Sequence, residues 1–277
     1  LLREVALWSY YGSKSKLIDL YPSPKYSKII EPFAGTARYA LKFFDRDVLL
    51  VDKYEVIVKI WQWLQKCSEK DILSLPVLKV GQKINRSDFD CIEQAWLMGF
   101  IVQDAVNAPR LTVSKFAEAN IAYEIKDIAS QLHKIRHWKI MLGSFEDIPN
   151  TEATWFIDPP YQFGGQYYVK SNKDLDFSML GDWCKSRNGQ VIVCENTKAS
   201  WLPFKAMRKF TGAINTTVEA IWSNFPTDFD AQQLGLFAEA QLTQPAPDVW
   251  DSAPLKPLST PEVDSDLGNV PTPATRR

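Results

Sequence analysis

The chain has 277 residues, of which 45% are hydrophobic and 23% charged, with a formal net charge of -1. That length buries a full core and suits one α/β domain carrying an insert, and the near-neutral balance excludes nucleic-acid binding by bulk charge while leaving room for a basic cleft. Cys67, Cys91, Cys184 and Cys194 show no paired spacing, His133 and His137 are the only histidines, and no apolar run reaches the length of a membrane span, so neither a zinc site nor a membrane protein is expected.

Near the amino terminus, Ser9-Tyr10-Tyr11-Gly12-Ser13-Lys14 sets two aromatic faces, a glycine and a cation within six residues. Such a stretch is a surface loop or, with a partner, a face for a purine and an anion. Five apolar runs then read as strands: Lys28 to Glu31, Val48 to Val51, Lys139 to Leu142, Thr154 to Ile157 and Gln190 to Cys194. Each is continuous rather than alternating, the mark of a parallel strand buried on both faces. Thr36 to Phe44 and Tyr54 to Leu64 carry apolar residues at helical spacing, so the domain opens with a βαβ unit. From Cys67 to His137 the pattern turns polar and mainly helical, and the sheet resumes only at Lys139. Val218 to Trp222 and Leu234 to Phe237 are expected to supply a last pair of strands. Beyond Gln241, seven of the 17 prolines and few large apolar groups describe a disordered tail. The expected architecture is α/β, with a mostly parallel Rossmann-like sheet of about seven strands from 1–66 and 138–240, an insert at 67–137 and a Pro-rich tail at 241–277.

Chemistry collects at the expected strand ends. Glu31-Pro32-Phe33-Ala34-Gly35-Thr36-Ala37 leaves the first strand with small residues that let a cofactor approach the backbone, or else forms a simple tight connection. Asp52 ends the second strand, where it can cap the next helix or hold a ribose diol. Leu142-Gly143-Ser144-Phe145-Glu146-Asp147 leaves the third, with Phe145 either over a purine or in the core. After Thr154 to Ile157 comes Asp158-Pro159-Pro160-Tyr161: a carboxylate, a carbonyl held by proline and an aromatic face, or a rigid turn capped by Asp158.

The order Tyr-x-Gly-x-Lys, Glu-Pro-Phe-x-Gly, an acid after the second strand, an insert, then Asp-Pro-Pro-Tyr resembles the Dam-type S-adenosylmethionine-dependent DNA adenine-N6 methyltransferases, over about Trp8 to Phe237. The resemblance implies a class I methyltransferase sheet with a target-recognition insert. It implies cofactor contacts from Tyr10, Tyr11, Lys14, Glu31, Phe33, Ala34, Gly35, Asp52, Ser144, Phe145 and Asp158, and a catalytic set of Asp158, Pro159, Pro160 and Tyr161. Ala37 departs from the second motif glycine of many relatives. The insert also lacks the Asn-Arg-Thr-Cys-Phe-Asn-Gly type of signature of members that read GATC, its nearest stretch being Asn85-Arg86-Ser87-Asp88-Phe89-Asp90.

An adenine amine is a weak nucleophile because its lone pair is delocalised into the ring. Two acceptors, the Asp158 carboxylate and the Pro159 carbonyl, would take the N6 hydrogens, while Tyr161 stacks on a base flipped from the duplex. The same acceptors would serve cytosine N4 or an RNA amine, and a silent DNA-binding relative is the remaining alternative. Gln162 to Lys170 is a solvent loop or one that closes over the flipped nucleotide. Lys134, Arg136, His137 and Lys139, and Lys205, Arg208 and Lys209, are solvated faces or phosphate contacts. The expected partner is double-stranded DNA, bound by a monomer without metal. Scattered, reduced thiols and the lack of a secretory signal suit the cytoplasm. The opening Leu1 is equally compatible with a fragment, a trimmed chain or a non-standard start codon.

Overall fold

Apolar runs that do not alternate must be covered on both faces, and here they are. The computed structural model describes residues 7–10, 17–103, 106–115, 117–211 and 216–227, and the side chains of these except 208–211 and 216–217. Within them, β1 (Lys28–Glu31), β2 (Asp47–Asp52), β3 (Lys139–Leu142), β4 (Ala153–Ile157), β5 (Gly189–Asn196), β6 (Lys205–Thr211) and β7 (Thr216–Ser223) form one sheet in the order β3-β2-β1-β4-β5-β7-β6. Strands β1 to β5 pair in parallel, and β7 is antiparallel to both β5 and β6. This is the mostly parallel, seven-stranded Rossmann-like sheet that the sequence leads one to expect. Its winding reverses between β1 and β4, so a crevice opens where their carboxyl ends diverge.

The β4 strand shows how the sheet is filled. All five of its residues are buried, and successive rings point to opposite faces. Phe156 stacks on Tyr39 of α1 (Arg38–Lys42) with centroids 4.3 Å apart, whereas Trp155 meets Trp183 of α6 (Phe177–Lys185) edge-on at 5.4 Å. Burial of each ring contributes about 2–3 kcal/mol. The amino end of the sheet is bolted by a buried polar pair: Thr154 Oγ1 donates to Gln190 Oε1 at 2.9 Å, and the Lys25 N–H donates to that same oxygen at 2.7 Å.

Segment 67–137 adds no strand to the sheet among its described residues. It supplies α3 (Glu69–Leu73), α4 (Ile92–Ile101) and α5 (Glu118–Gln131). Leu97, Met98 and Phe100 of α4 and Ile121 and Ile125 of α5 share one core with Ile57 and Trp61 of α2 (Glu55–Lys66). These helices are thus a further layer over the sheet. Helix α4 is buried around nearly its whole circumference, whereas α5 buries one face only. No described helix is long and apolar enough to cross a membrane.

Several elements depart from expectation for local reasons. The α1 helix starts only at Arg38, because residues 34–37 are drawn into a turn closed by Ala37 N–H to Ala34 O at 2.7 Å. The partner of β7 is Lys205–Thr211, a stretch that reads as a basic surface cluster. Leu234 to Phe237 and the tail lie outside the described residues. In the other basic cluster, the Arg136 guanidinium donates to the carbonyls of Leu64 (3.2 Å), Gln65 (2.5 Å) and Cys67 (2.6 Å), so it caps the end of α2.

Gly189 sits opposite Ala153 with φ of 99°, and a Cβ there would lie 2.2 Å from the Ala153 carbonyl oxygen. Gly189→Ala is therefore expected to destabilise the fold by about 3 kcal/mol, read as a lower thermal midpoint. An unchanged midpoint would contradict this account of the β4–β5 join.

Candidate active site

The turn after β1 is held at successive peptides. Ala34 N–H donates to Val51 O at 3.0 Å, Gly35 N–H donates to Asp52 Oδ2 at 3.0 Å, and the Gly35 carbonyl accepts from Trp61 Nε1 at 2.8 Å. Strand β2 and helix α2 thereby grip Gly35 from opposite sides. Its φ of +44° is cheap only for glycine, and Ala37 adopts a similar +46° at a cost of about 1–2 kcal/mol.

The carboxylate of Asp52 spends one oxygen on Gly35 and the other on Tyr54 N–H, at 2.8 Å, which orients it at the start of α2. Burial raises its carboxyl above the usual range, opposed by these backbone donors. Glu31, 3% exposed at the end of β1, accepts the Ala40 N–H at 2.6 Å and so satisfies one of the free donors of α1. Burial pushes its carboxyl up to about 8 against the pull of that N–H, and neighbouring Asp158 adds to the rise.

These groups line one cleft together with Phe33, Ala34, Gly35 and Tyr10, and the cleft holds ≈ 990 Å³ of empty space counted to its open mouth. Asp158 and Pro160 line the same cleft from the end of β4. Pro159 is buried, and the half-buried Tyr161 donates its hydroxyl to Glu219 Oε2 of β7 at 2.6 Å. Tyr10 lies over Gly35 and edge-on to Phe100 of α4, with centroids 5.6 Å apart. The far wall comes from the loop after the tetrapeptide, through Tyr168, Lys170, Ser171, Asp174 and Leu175.

Two expected cofactor residues sit elsewhere. Phe145 is 2% exposed and stacks beneath Phe33 at 5.7 Å, so it backs the cleft wall instead of lining it. Ser144 is spent on a short helical turn, its N–H donating to Asp147 Oδ2 at 2.7 Å and its hydroxyl to Glu146 at 2.9 Å. Tyr11 and Lys14 lie outside the described residues. One acid escaped the sequence reading: Glu195, fully buried near the end of β5, where burial raises its carboxyl and Asp158 adds to the rise. The signal was present, since it follows an apolar strand run as Asp52 and Asp158 do.

No family model and no curated protein matches the chain. Solved structures similar to it include yhhF from Escherichia coli, described as a candidate methyltransferase, at 10% identity and a TM-score of 0.32, covering 74% of this chain and 79% of that one. HI0767 from Haemophilus influenzae, described as a candidate methylase, is similar at 10% identity and a TM-score of 0.31, covering 76% and 85%.

The Glu31 carboxyl gives the site a pH signature. Below its ordinary value of 4.5 it is protonated folded or unfolded, and between 4.5 and about 8 the folded state alone retains the proton. The stability it contributes is therefore lost as pH rises through that window. Glu31→Gln, which cannot titrate, is expected to gain on the wild type between pH 5 and pH 8.5, by a few kcal/mol in denaturant unfolding. Parallel stability curves for the two proteins would refute the assignment.

Proposed function

We propose that the chain is a Dam-type DNA adenine-N6 methyltransferase, which uses S-adenosylmethionine to methylate an adenine flipped from double-stranded DNA. The observation that carries this reading is the shared cleft: Asp158 and Pro160 line the same space as the Gly35 turn, Asp52 and Tyr10. An amine acceptor and a nucleoside cradle therefore stand side by side.

The residues present suit that cofactor. Asp52 accepts the backbone N–H groups of Gly35, Tyr54 and Lys53, and the about four lone-pair sites of a carboxylate leave capacity for a ribose hydroxyl. Asp158 lies where a ligand bearing ammonium and sulfonium charge would meet it, such a ligand would favour the ionised form of Glu31, and the Gly35 turn permits close approach to the backbone. When bound, the cofactor supplies an electrophilic methyl group on a sulfonium. The chain's own part is orientation. Asp158 and the Pro159 carbonyl accept the two N6 hydrogens, which favours a pyramidal nitrogen with its lone pair freed, and the two prolines hold those acceptors in one direction. The bond from Tyr161 to Glu219 fixes its ring, limiting the motion of the base-side wall.

A basic ribbon supports DNA as the partner. Residues 81–84 and 111–113 pair antiparallel through Ile84 N–H to Leu111 O (2.9 Å) and Val113 N–H to Gln82 O (3.0 Å), with Lys83 opposite Thr112. Ile84 and Val113 anchor one face in the core, while Leu111 is 69% exposed. Lys79, Lys83, Arg110 and Lys115 lie on or beside the ribbon, and no carboxylate falls within 79–85 or 110–115. Asn107 donates to the Tyr167 carbonyl, which ties this segment to the loop that lines the cleft. Cations and an apolar tip beside a cleft suit phosphates and an opened base step.

Purified protein incubated with labelled cofactor and unmethylated DNA is expected to yield N6-methyladenine by nucleoside mass spectrometry. Asp158→Ala should lose at least about 100-fold in rate while still binding the cofactor. Removing Lys83 and Arg110 together should weaken DNA binding and flatten its salt dependence. Label in N4-methylcytosine or RNA alone would move the substrate assignment, and equal rates for Asp158→Ala would sink the mechanism.

A further inference from the structure

Strand β5 outruns β4. Ile157, the last residue of β4, is level with Val193, and β5 continues through Cys194, Glu195 and Asn196 beside the departing tetrapeptide. Those last residues fasten the chain that follows Pro160, one position after another. Glu195 Oε1 accepts the Gln162 N–H at 2.6 Å and the Trp201 Nε1–H at 3.3 Å, while its Oε2 accepts the Asn196 N–H at 2.7 Å. Asn196 Nδ2 in turn donates to the Phe163 carbonyl at 2.8 Å. The Tyr161 carbonyl accepts the Gly165 N–H at 3.0 Å, closing the loop back towards Pro160, where a Cβ on Gly165 would lie 2.7 Å from the Pro160 carbonyl carbon.

From this geometry we propose that Glu195 is a positioning residue for methyl transfer: a buried carboxylate that fixes the peptide after the tetrapeptide and, through it, the direction of the Asp158 and Pro159 acceptors. This rests on the methyltransferase reading. A neutral anchor would serve the fold equally well, and a buried carboxylate beside Asp158 is a costly choice. Its geometric merit is that one planar group aims acceptors at three donors on three different segments: the loop, β5 itself and Trp201. Asp158 lines the cleft from a tetrapeptide that leaves β4 and is tied to β7 only through the Tyr161 hydroxyl, so its downstream backbone gains from a fixed point of its own. Misplacement of such acceptors by about 1 Å costs on the order of 100-fold in rate.

The test compares wild type, Glu195→Gln and Glu195→Ala as full chains. Single-turnover methyl transfer to an adenine-containing duplex is measured with KM for the cofactor, affinity for S-adenosylhomocysteine, thermal midpoint and amide hydrogen exchange of residues 161–165. Expected is a loss of about 100-fold in the rate of Glu195→Ala, with product affinity and KM within about 3-fold of wild type and faster exchange confined to the loop. Glu195→Gln keeps an oxygen for Gln162 and should recover roughly 10-fold of that loss. Should the alanine variant not fold, the glutamine variant carries the test by a smaller loss of the same kind. An unchanged rate, or a rate that falls only in step with cofactor affinity and thermal midpoint, overturns the proposal. If wild type methylates no adenine, the functional reading fails separately, and exchange decides the clamp: faster exchange at Gln162 with product affinity retained supports it, and unchanged exchange refutes it.

Discussion

Burying carboxylates at the ends of neighbouring parallel strands is the constraint from which the site follows. Glu31, Asp158 and Glu195 close or follow β1, β4 and β5, which are adjacent in the sheet, and burial, with a smaller push from Asp158, raises the carboxyls of the other two. Acids so placed need hydrogen-bond partners, and those of Glu31, Asp52 and Glu195 are mostly backbone N–H groups: Ala40, Gly35, Tyr54, Gln162 and Asn196. All but that of Asn196, which ends β5, belong to a turn or helix start at the carboxyl edge of the sheet. Satisfying the acids thus shapes the turns, and the turns shape the cleft.

The opposite edge has a different character. There the bolt is neutral, made by Thr154 and Gln190 with the backbone of Lys25 and Tyr26, and Gly189 lets β4 and β5 meet closely. One edge carries rigidity and the other carries strained and charged groups, including left-handed Ala37. Strain and buried charge are affordable at the functional edge because the core beneath is fully packed, with Trp155 and Phe156 filling opposite faces of the same strand.

The central strands were legible because a continuous apolar run between turn residues has few other uses in a chain of this composition. Lys28–Glu31 and Lys139–Leu142 match the reading to the residue, and β2, β4 and β5 extend it by one or two residues at their ends. β6 was not legible, since Lys205-Ala206-Met207-Arg208-Lys209 lies at the edge of the described sheet, where a strand needs no apolar run and benefits from lysines. The cleft residues next to motifs were legible for the same reason as the strands: they occupy strand ends. Phe145 was ambiguous, because an aromatic after a strand packs equally well over a ligand or under Phe33, and only three-dimensional packing decides. Glu195 follows an apolar run as Asp52 and Asp158 do, which marks its place at a strand end, but its contacts with Gln162 and Trp201 are set only by the fold.

The central claim is that the acidic edge is one site, joining a nucleoside-cofactor cradle to a pair of amine acceptors. Long-read sequencing of DNA from a methylation-free host expressing the chain tests it most directly, since it reports the modified base and its flanking sequence together. The account predicts modified adenines in a fixed sequence context, absent from cells expressing Asp158→Ala. Unmodified adenines throughout, or a signal confined to cytosine, would contradict it.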